Sequence, residues 1–315
     1  MKLFYYKTEN PSRNFGDEIN PWLWPRLIPW LDNCKQTVFV GIGTMLNNAI
    51  PQWIDEAKTV IFFSTGAGYG NRFRPKNQSN WRIYCVRGPL SAQRLKLSPE
   101  ISVTDGAALF MRHIPAIATT ELTYKTAYMP HFRHGSPQIF REVCRQTGIH
   151  YIDPAKDVEA VIAEISQSKL LISEAMHGAI VADALRVPWI PVRTNPRILP
   201  FKWRDWCASV EQPYQPQIIR GAKVLSYQDY VYSTRLYFQG QSSFKNLMSN
   251  LTMNAWQLFP QPVSLAQLDS ISEQLLAIAK QSPYLSREDK LETLVTRLEA
   301  RLEQLHQDWR QGAFS

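Results

Sequence analysis

The 315-residue sequence predicts an α/β protein: two parallel-sheet domains followed by a helical C-terminal segment. Three observations predict it. Short β-rich runs alternate with helix-like pieces, the pattern of parallel strands flanked by crossover helices. The alternation pauses at IPAIATTELTYK, which has no strong periodicity and reads as a linker, and then restarts. After residue 240 the strand-like runs stop and only helical patterns continue.

The first domain is expected over residues 1–122. KLFYY, TVFVG, TVIFFS, RIYCVR and ISVTDGAAL are its β-rich runs, PLSAQRL is helix-like, and NFGDEIN stands at the start of a helix. The second domain is expected over residues 123–235. Strand TAYMPHF, helix SPQIFREVCRQTG, strand HYIDP and helix KDVEAVIAEISQS lead into KLLIS, GAIVADALR and PWIPVR, one strand-helix-strand unit. Residues 236–315 hold three helical stretches, FKNLMSNLTMNAWQLF, SLAQLDSISEQLLAIAKQ and SREDKLETLVTRLEARLEQLHQDWRQG. In the last, Leu291, Leu294, Leu298, Leu302 and Leu305 recur at three- and four-residue steps and form an apolar stripe. The stripe is expected to pack back on the body, with oligomerisation or membrane contact as the sharper alternative. The first stretch, with Lys245, is expected to pack on the body, with an interfacial helix on an anionic membrane surface as the alternative.

The hydrophobic share of 44% is enough to bury a sizeable core in a soluble globular chain. Thirty-five Lys and Arg against 27 Asp and Glu leave a net charge of +8, which favours anionic partners. The basic residues are scattered and match no zinc-finger, helix-turn-helix or RNA-recognition signature, so nucleic acid is not the expected partner. The four cysteines, Cys34, Cys85, Cys144 and Cys207, are too widely spaced for a metal site and read as reduced thiols of a cytosolic protein. No window approaches 18 uninterrupted apolar residues, so no membrane span is expected.

Each candidate site follows a predicted strand, and loops at the carboxyl ends of parallel strands converge on one crevice. Gly43 in GIGT, and Gly66 and Gly68 in GAGYG, let backbone amides approach a phosphate or sugar, or else serve tight turns. Asn14 is a turn former. Asp17 either touches substrate or sits in a first helical turn to complement the dipole. Arg87 ends an apolar strand ahead of a helix-starting proline and reads as a cation at the crevice mouth, or as a structural ion pair with Asp105. His131 and His134 bracket Arg133 in MPHFRHG; recognition of a phosphate explains them more economically than a metal pair. Arg193 and Arg197 add cations after PWIPV, and together these loops imply an anionic ligand. His177, where KLLIS gives way to the small-residue helix, faces the crevice as a proton donor or caps a loop.

The order NFGDEIN, GIGT, RGPLSAQRL, DGA, PHFRH and ISEAMHGAIVADAL resembles the polysaccharide pyruvyl transferase family, especially the ketal-forming enzymes of bacterial exopolysaccharide synthesis. The resemblance covers about residues 1–230 and leaves out the helical tail. It implies two Rossmann-like domains facing across a GT-B-like cleft, the first on the acceptor side and the second on the donor side. It also implies phosphoenolpyruvate as donor, a sugar or lipid-linked oligosaccharide as acceptor, no cofactor and no metal. His177 and Asp17 would be catalytic; Arg87, Arg133, Arg193, His131, Asn14, Gly43, Gly66 and Gly68 would bind substrate. Such an enzyme is expected in the cytoplasm, at the inner face of the membrane when its acceptor is lipid-linked. One departure stands out. The family often carries Ser-x-Arg-x-His, whereas this chain has Ala175 at the arginine position, so Arg133 or Arg193 must meet the donor's charge. The alternatives are a GT-B-like glycosyltransferase using a nucleotide sugar, and a noncatalytic assembly protein docking through its helical tail.

Overall fold

Strand β1 (Lys2–Phe4), β2 (Thr37–Val40), β3 (Thr59–Thr65) and β4 (Trp81–Val86) pair in parallel in the order β1-β2-β3-β4. A second parallel sheet, of β5 (Ala127–Met129), β6 (His150–Tyr151), β7 (Leu171–Ser173), β8 (Trp189–Arg193) and β9 (Gln217–Ile218), has the order β6-β5-β7-β8-β9. The computed structural model describes residues 2–7, 13–33, 36–47, 54, 57–68, 79–114, 121–132, 137–194, 198–221 and 264–314.

Period-two alternation gives each sheet two apolar faces. In the first, Val38, Val40, Val60, Phe62 and Val86 point one way, while Phe39, Ile61, Phe63 and Cys85 point the other. In the second, Tyr128, Ile172, Ile190 and Val192 are opposed by Ala127, Met129, Leu171 and Trp189. The inner faces of both sheets belong to one hydrophobic cluster, so the two halves share a core. Helix α1 (Phe15–Leu27) of the first half packs against α4 (Val158–Ser166) and α5 (Met176–Ala184) of the second, and the Phe15 amide donates to the Pro154 carbonyl at 2.9 Å. The parallel α/β architecture is as the sequence predicts. Between the halves lies continuous apolar packing, and the GT-B comparison rests on the resemblance alone.

Several elements differ from the expectation. ISVTDGAAL is not a strand: only Ser102 makes an isolated bridge, to Val86, and Asp105 then caps a 3-10 turn, Gly106–Leu109, by accepting from the Ala107 amide at 3.0 Å. The side-chain cap at Asp-Gly overrides the β-branched run before it. Helix α6 (Pro200–Ser209) went unseen because PFKWRDWCAS buries two tryptophans without an amphipathic repeat. PLSAQRL forms α2 (Pro89–Leu95), and SPQIFREVCRQTG forms α3 (Pro137–Thr147).

The C-terminal helices are divided between the halves. In α7 (Leu265–Ile278), Ile271, Leu275 and Ile278 enter the outer cluster of the second sheet. In α8 (Glu288–Arg310), the leucine stripe is buried in the shared core, with each side chain contributing about 1.5–3 kcal/mol. Trp30 of the first half stacks on Trp309 at 4.6 Å and donates to His306 Nδ1 at 2.8 Å. FKNLMSNLTMNAWQLF, with Lys245, lies outside the described residues. No described helix is long and apolar enough to cross a membrane. Cys85, Cys144 and Cys207 are buried free thiols; Cys34 lies outside the described residues.

Candidate functional site

Apart from His177 and Asp183, helix α5 is built of apolar and small residues all round, as suits a helix wedged between two layers. Eight of its nine residues are buried, and the exception is His177. The small residues Gly178, Ala179 and Ala182 let the helix lie close to β7, β8, α1 and the Asp105 turn. His177 in the first turn is thereby carried from the second half into the first.

Two features of the first half receive the ring. Gly16 lies flat against it: a Cβ there would fall 2.0 Å from His177 Nδ1, so only glycine admits this approach. On the other edge, Nε2 is 3.6 Å from Asp105 Oδ2. Asp105 is fully buried, and neither of these two atoms has a hydrogen-bond partner among the described residues.

Asp17 is held beside the same ring by the opening of α1. Pro21 lacks the amide that would bond the Asp17 carbonyl, and Asn20 Nδ2 donates to that carbonyl at 3.1 Å instead. Asn20 also donates to the Ile42 carbonyl at 3.0 Å, tying the helix to the loop after β2. Asn14 Nδ2 donates to Asp17 Oδ2 at 2.5 Å. Burial pushes the Asp17 carboxyl up to about 6, against the opposing pull of the Asn14 hydrogen bond and of the charges on His177 and Lys202. Glu18 adds to the rise. Burial also raises the neighbouring Tyr5 phenol, helped by Glu18 and Asp17. A carboxyl near 6 beside a histidine is a pair suited to proton exchange.

Arg87 is placed differently. It is fully buried; Nε donates to Asp205 Oδ2 at 3.1 Å, Nη1 to the Gly43 carbonyl at 3.2 Å and to Thr44 Oγ1 at 3.0 Å, and Nη2 to the Ala67 carbonyl at 3.4 Å. Its ion-pair partner is thus Asp205 of α6, not Asp105. Asp205 also accepts from the Ser91 amide at 2.8 Å, so the pair bridges the halves with its hydrogen bonds satisfied. Gly66 is bare because a Cβ would meet the guanidinium carbon at 2.2 Å. Gly43 supplies carbonyl acceptors to Arg87 and to the Gly66 amide, and Gly68 abuts Thr44. These glycines pack around protein groups.

The second sheet reverses its strand order between β5 and β7, the switch point at which α/β sheets hold ligands. Glu174 fills the floor there. It is fully buried and accepts from the His131 amide at 3.1 Å, the Thr194 amide at 2.6 Å and Thr194 Oγ1. It thus ties together the loops after β5 and β8, which begin near His131 and at Thr194, the residue after Arg193. Arg193 ends β8, near Tyr214. Ala175 caps α5 with no side-chain hydrogen bond of its own. Arg133, His134 and Arg197 lie outside the described residues.

The fold therefore brings His177, Asp17 and Asn14 together, sets His131 beside the switch point and Arg193 at the end of the next strand, β8, and puts Arg87 with Gly43, Gly66 and Gly68 in a buried brace. Sequence reasoning missed Asn20, Lys202, Glu174 and the place of Asp105 beside His177. Lys202 carries no local motif. Asp105 did stand in a quoted motif, yet its partner is 72 positions away, as the numbering of the pair shows.

A family model described as polysaccharide pyruvyl transferase matches residues 53–196. The succinoglycan biosynthesis protein ExoV of Rhizobium meliloti (strain 1021) is 36% identical over 218 residues, which is 69% of this chain and 67% of that protein.

Proposed function

The chain belongs to the polysaccharide pyruvyl transferase family, and on that premise we propose that it moves the enolpyruvyl group of phosphoenolpyruvate onto a sugar of an exopolysaccharide repeat unit and closes a pyruvate ketal. The observation that carries this reading is the meeting of His177 and Asp17 in one niche, with the Asp17 carboxyl raised to about 6.

In this reading protonated His177 delivers a proton to the donor methylene, leaving an oxocarbenium-like centre at the adjacent carbon. One sugar hydroxyl adds to that carbon and gives its proton to Asp17. The carbon–oxygen bond to phosphate breaks, and a second hydroxyl of the same sugar adds in its place. Of the two hydroxyl protons, one replaces the proton that became part of the new methyl group, and one leaves on phosphate. The sum is phosphoenolpyruvate plus a diol giving a ketal plus phosphate, and no cofactor enters. Lys202, placed near Asp17, and Arg193, at the end of β8, are the cations assigned to the donor in place of the arginine that Ala175 lacks. His131 lines the donor side and Asn14 orients Asp17, while Arg87 and its three glycines act by bracing the halves. The acceptor is assigned as a lipid-linked repeat unit, met at the inner face of the membrane.

The test is incubation of the purified full chain with phosphoenolpyruvate and a panel of free and lipid-linked oligosaccharides that offer paired hydroxyls. The expected result is acceptor-dependent phosphate release, with one pyruvyl group gained per phosphate. Transfer of a sugar from a nucleotide sugar, or no release with any acceptor, would count against the reading. As a base, Asp17 must be ionised, so kcat/KM should rise with pH through about 6.

A further inference from the structure

We infer that Asp105 is a positioning residue for His177: it holds the ring with Nε2–H directed at its carboxylate, so that Nδ1, beside Gly16, is the atom that exchanges protons. This rests on the proposed role of His177 as the acid.

Three observations carry the inference. Asp105 Oδ1 is committed to the Ala107 amide, which fixes the carboxylate and leaves Oδ2 aimed at the ring. Oδ2 and His177 Nε2 are buried, have no hydrogen-bond partner among the described residues and lie 3.6 Å apart. That separation is too long for a hydrogen bond but close enough for an ion pair, and a buried group without a partner costs free energy until one is found. A charge on the ring supplies the attraction that closes the gap; catalytic contacts are often loose before substrate is bound. Finally, the side chain of His177 is 14% exposed although Nε2 is buried, so access to the ring lies on its other atoms.

Ser64 packs against the turn that carries Asp105. Ser64, at the end of β3, adopts φ +60, unusual for a residue other than glycine, in a stretch where the β3–β4 register shifts. Its Oγ is buried with no hydrogen-bond partner among the described residues, against the Cα of Gly106, where a Cβ would come within 2.4 Å. Asp105 from the 3-10 turn lies 3.6 Å from His177 Nε2, and Asp17 from α1, itself influenced by Lys202 from α6, interacts electrostatically with His177. Of these two carboxylates, Asp105 is the one within ion-pair distance of the buried nitrogen among the described residues.

The test reads the ring directly. Nitrogen-15 spectra of the full chain, with the His177 signals assigned through His177→Gln, should show the neutral ring as the Nε2–H tautomer. In Asp105→Asn, the amide that replaces Oδ2 offers N–H to Nε2, so the neutral ring should switch to Nδ1–H. Turnover in Asp105→Asn should fall by about two to three powers of ten, the scale of a misdirected general acid, with KM for phosphoenolpyruvate within about threefold. Asp105→Glu, which keeps the carboxylate, should recover at least tenfold over Asn, on the order of a retained charge-assisted bond. A wild-type ring in the Nδ1–H form, or the same tautomer in wild type and Asp105→Asn, overturns the inference, and the wild-type spectrum decides even if the variant fails to fold. The spectra need no substrate, so failure of the pairing is distinguishable from failure of pyruvyl transfer.

Discussion

Arg87 and His177 look alike in the sequence: each is a lone polar residue soon after a buried apolar strand, beside a glycine and at the start of a helix. In the fold they are opposites. Arg87 is fully buried and each of its three guanidinium nitrogens is bonded. His177 has a buried nitrogen with no hydrogen bond among the described residues, a carboxylate 3.6 Å away, and an acid beside it raised to about 6. The difference teaches where chemistry resides. A polar group whose hydrogen bonds are spent inside the protein holds the halves together, and the pair left with an unmet bond, His177 Nε2 and Asp105 Oδ2, stands where the chemistry is proposed.

The comparison can be broken most forcefully at Arg87. Arg87→Ala leaves Asp205 buried without its cation, and loss of one partner of a buried pair costs about 3–5 kcal/mol. Denaturant titration should show that loss. Full stability in the variant would mean that the brace carries little.

The two glycines sharpen it. Gly66→Ala drives a methyl into the Arg87 guanidinium, and Gly16→Ala drives one into the His177 ring. Overpacking of this kind costs about 1–3 kcal/mol. Gly66→Ala should pay that cost mostly in melting temperature. Gly16→Ala should lose turnover out of proportion to its stability, because the displaced ring is the proposed proton donor. Equal ratios of stability loss to activity loss in the two variants would erase the distinction.

The smallest effect concerns Asp17 and has a sign of its own. Because the folded protein holds this proton more tightly than the unfolded chain, the contribution to stability is full below pH 3.8 and is lost as pH rises through about 6. Asp17→Asn should therefore raise stability at pH 8 by about 1–3 kcal/mol and change little at pH 3.5. It should also abolish the rise of kcat/KM through pH 6. Thermal melts at the two pH values check the first effect, and a pH-rate profile checks the second.

The strand-helix alternation was legible because it is local: β2, β3, β4 and α2 lie within a residue or two of the runs that announce them. The site was legible only in part. His177 and Asp17 stand in motifs whose residue types suggest proton chemistry, whereas the burial of Arg87 depends on Asp205, 118 positions away. Glu174 sat in plain view in SEAMH but reads as a surface residue until the loops after β5 and β8 close over it. Helix α6, which brings Lys202 and Asp205, lacks the amphipathic repeat that sequence reading relies on. What escaped was set by tertiary pairing, which no local pattern encodes.

The claim that the unspent groups carry the chemistry is tested most directly by the turnover of His177→Gln, measured per folded molecule with phosphoenolpyruvate and a competent acceptor. Glutamine keeps polarity and approximate size while losing the transferable proton. The account predicts an unchanged melting temperature and a loss of about two to four powers of ten in turnover. Near-normal turnover in the folded variant would contradict it.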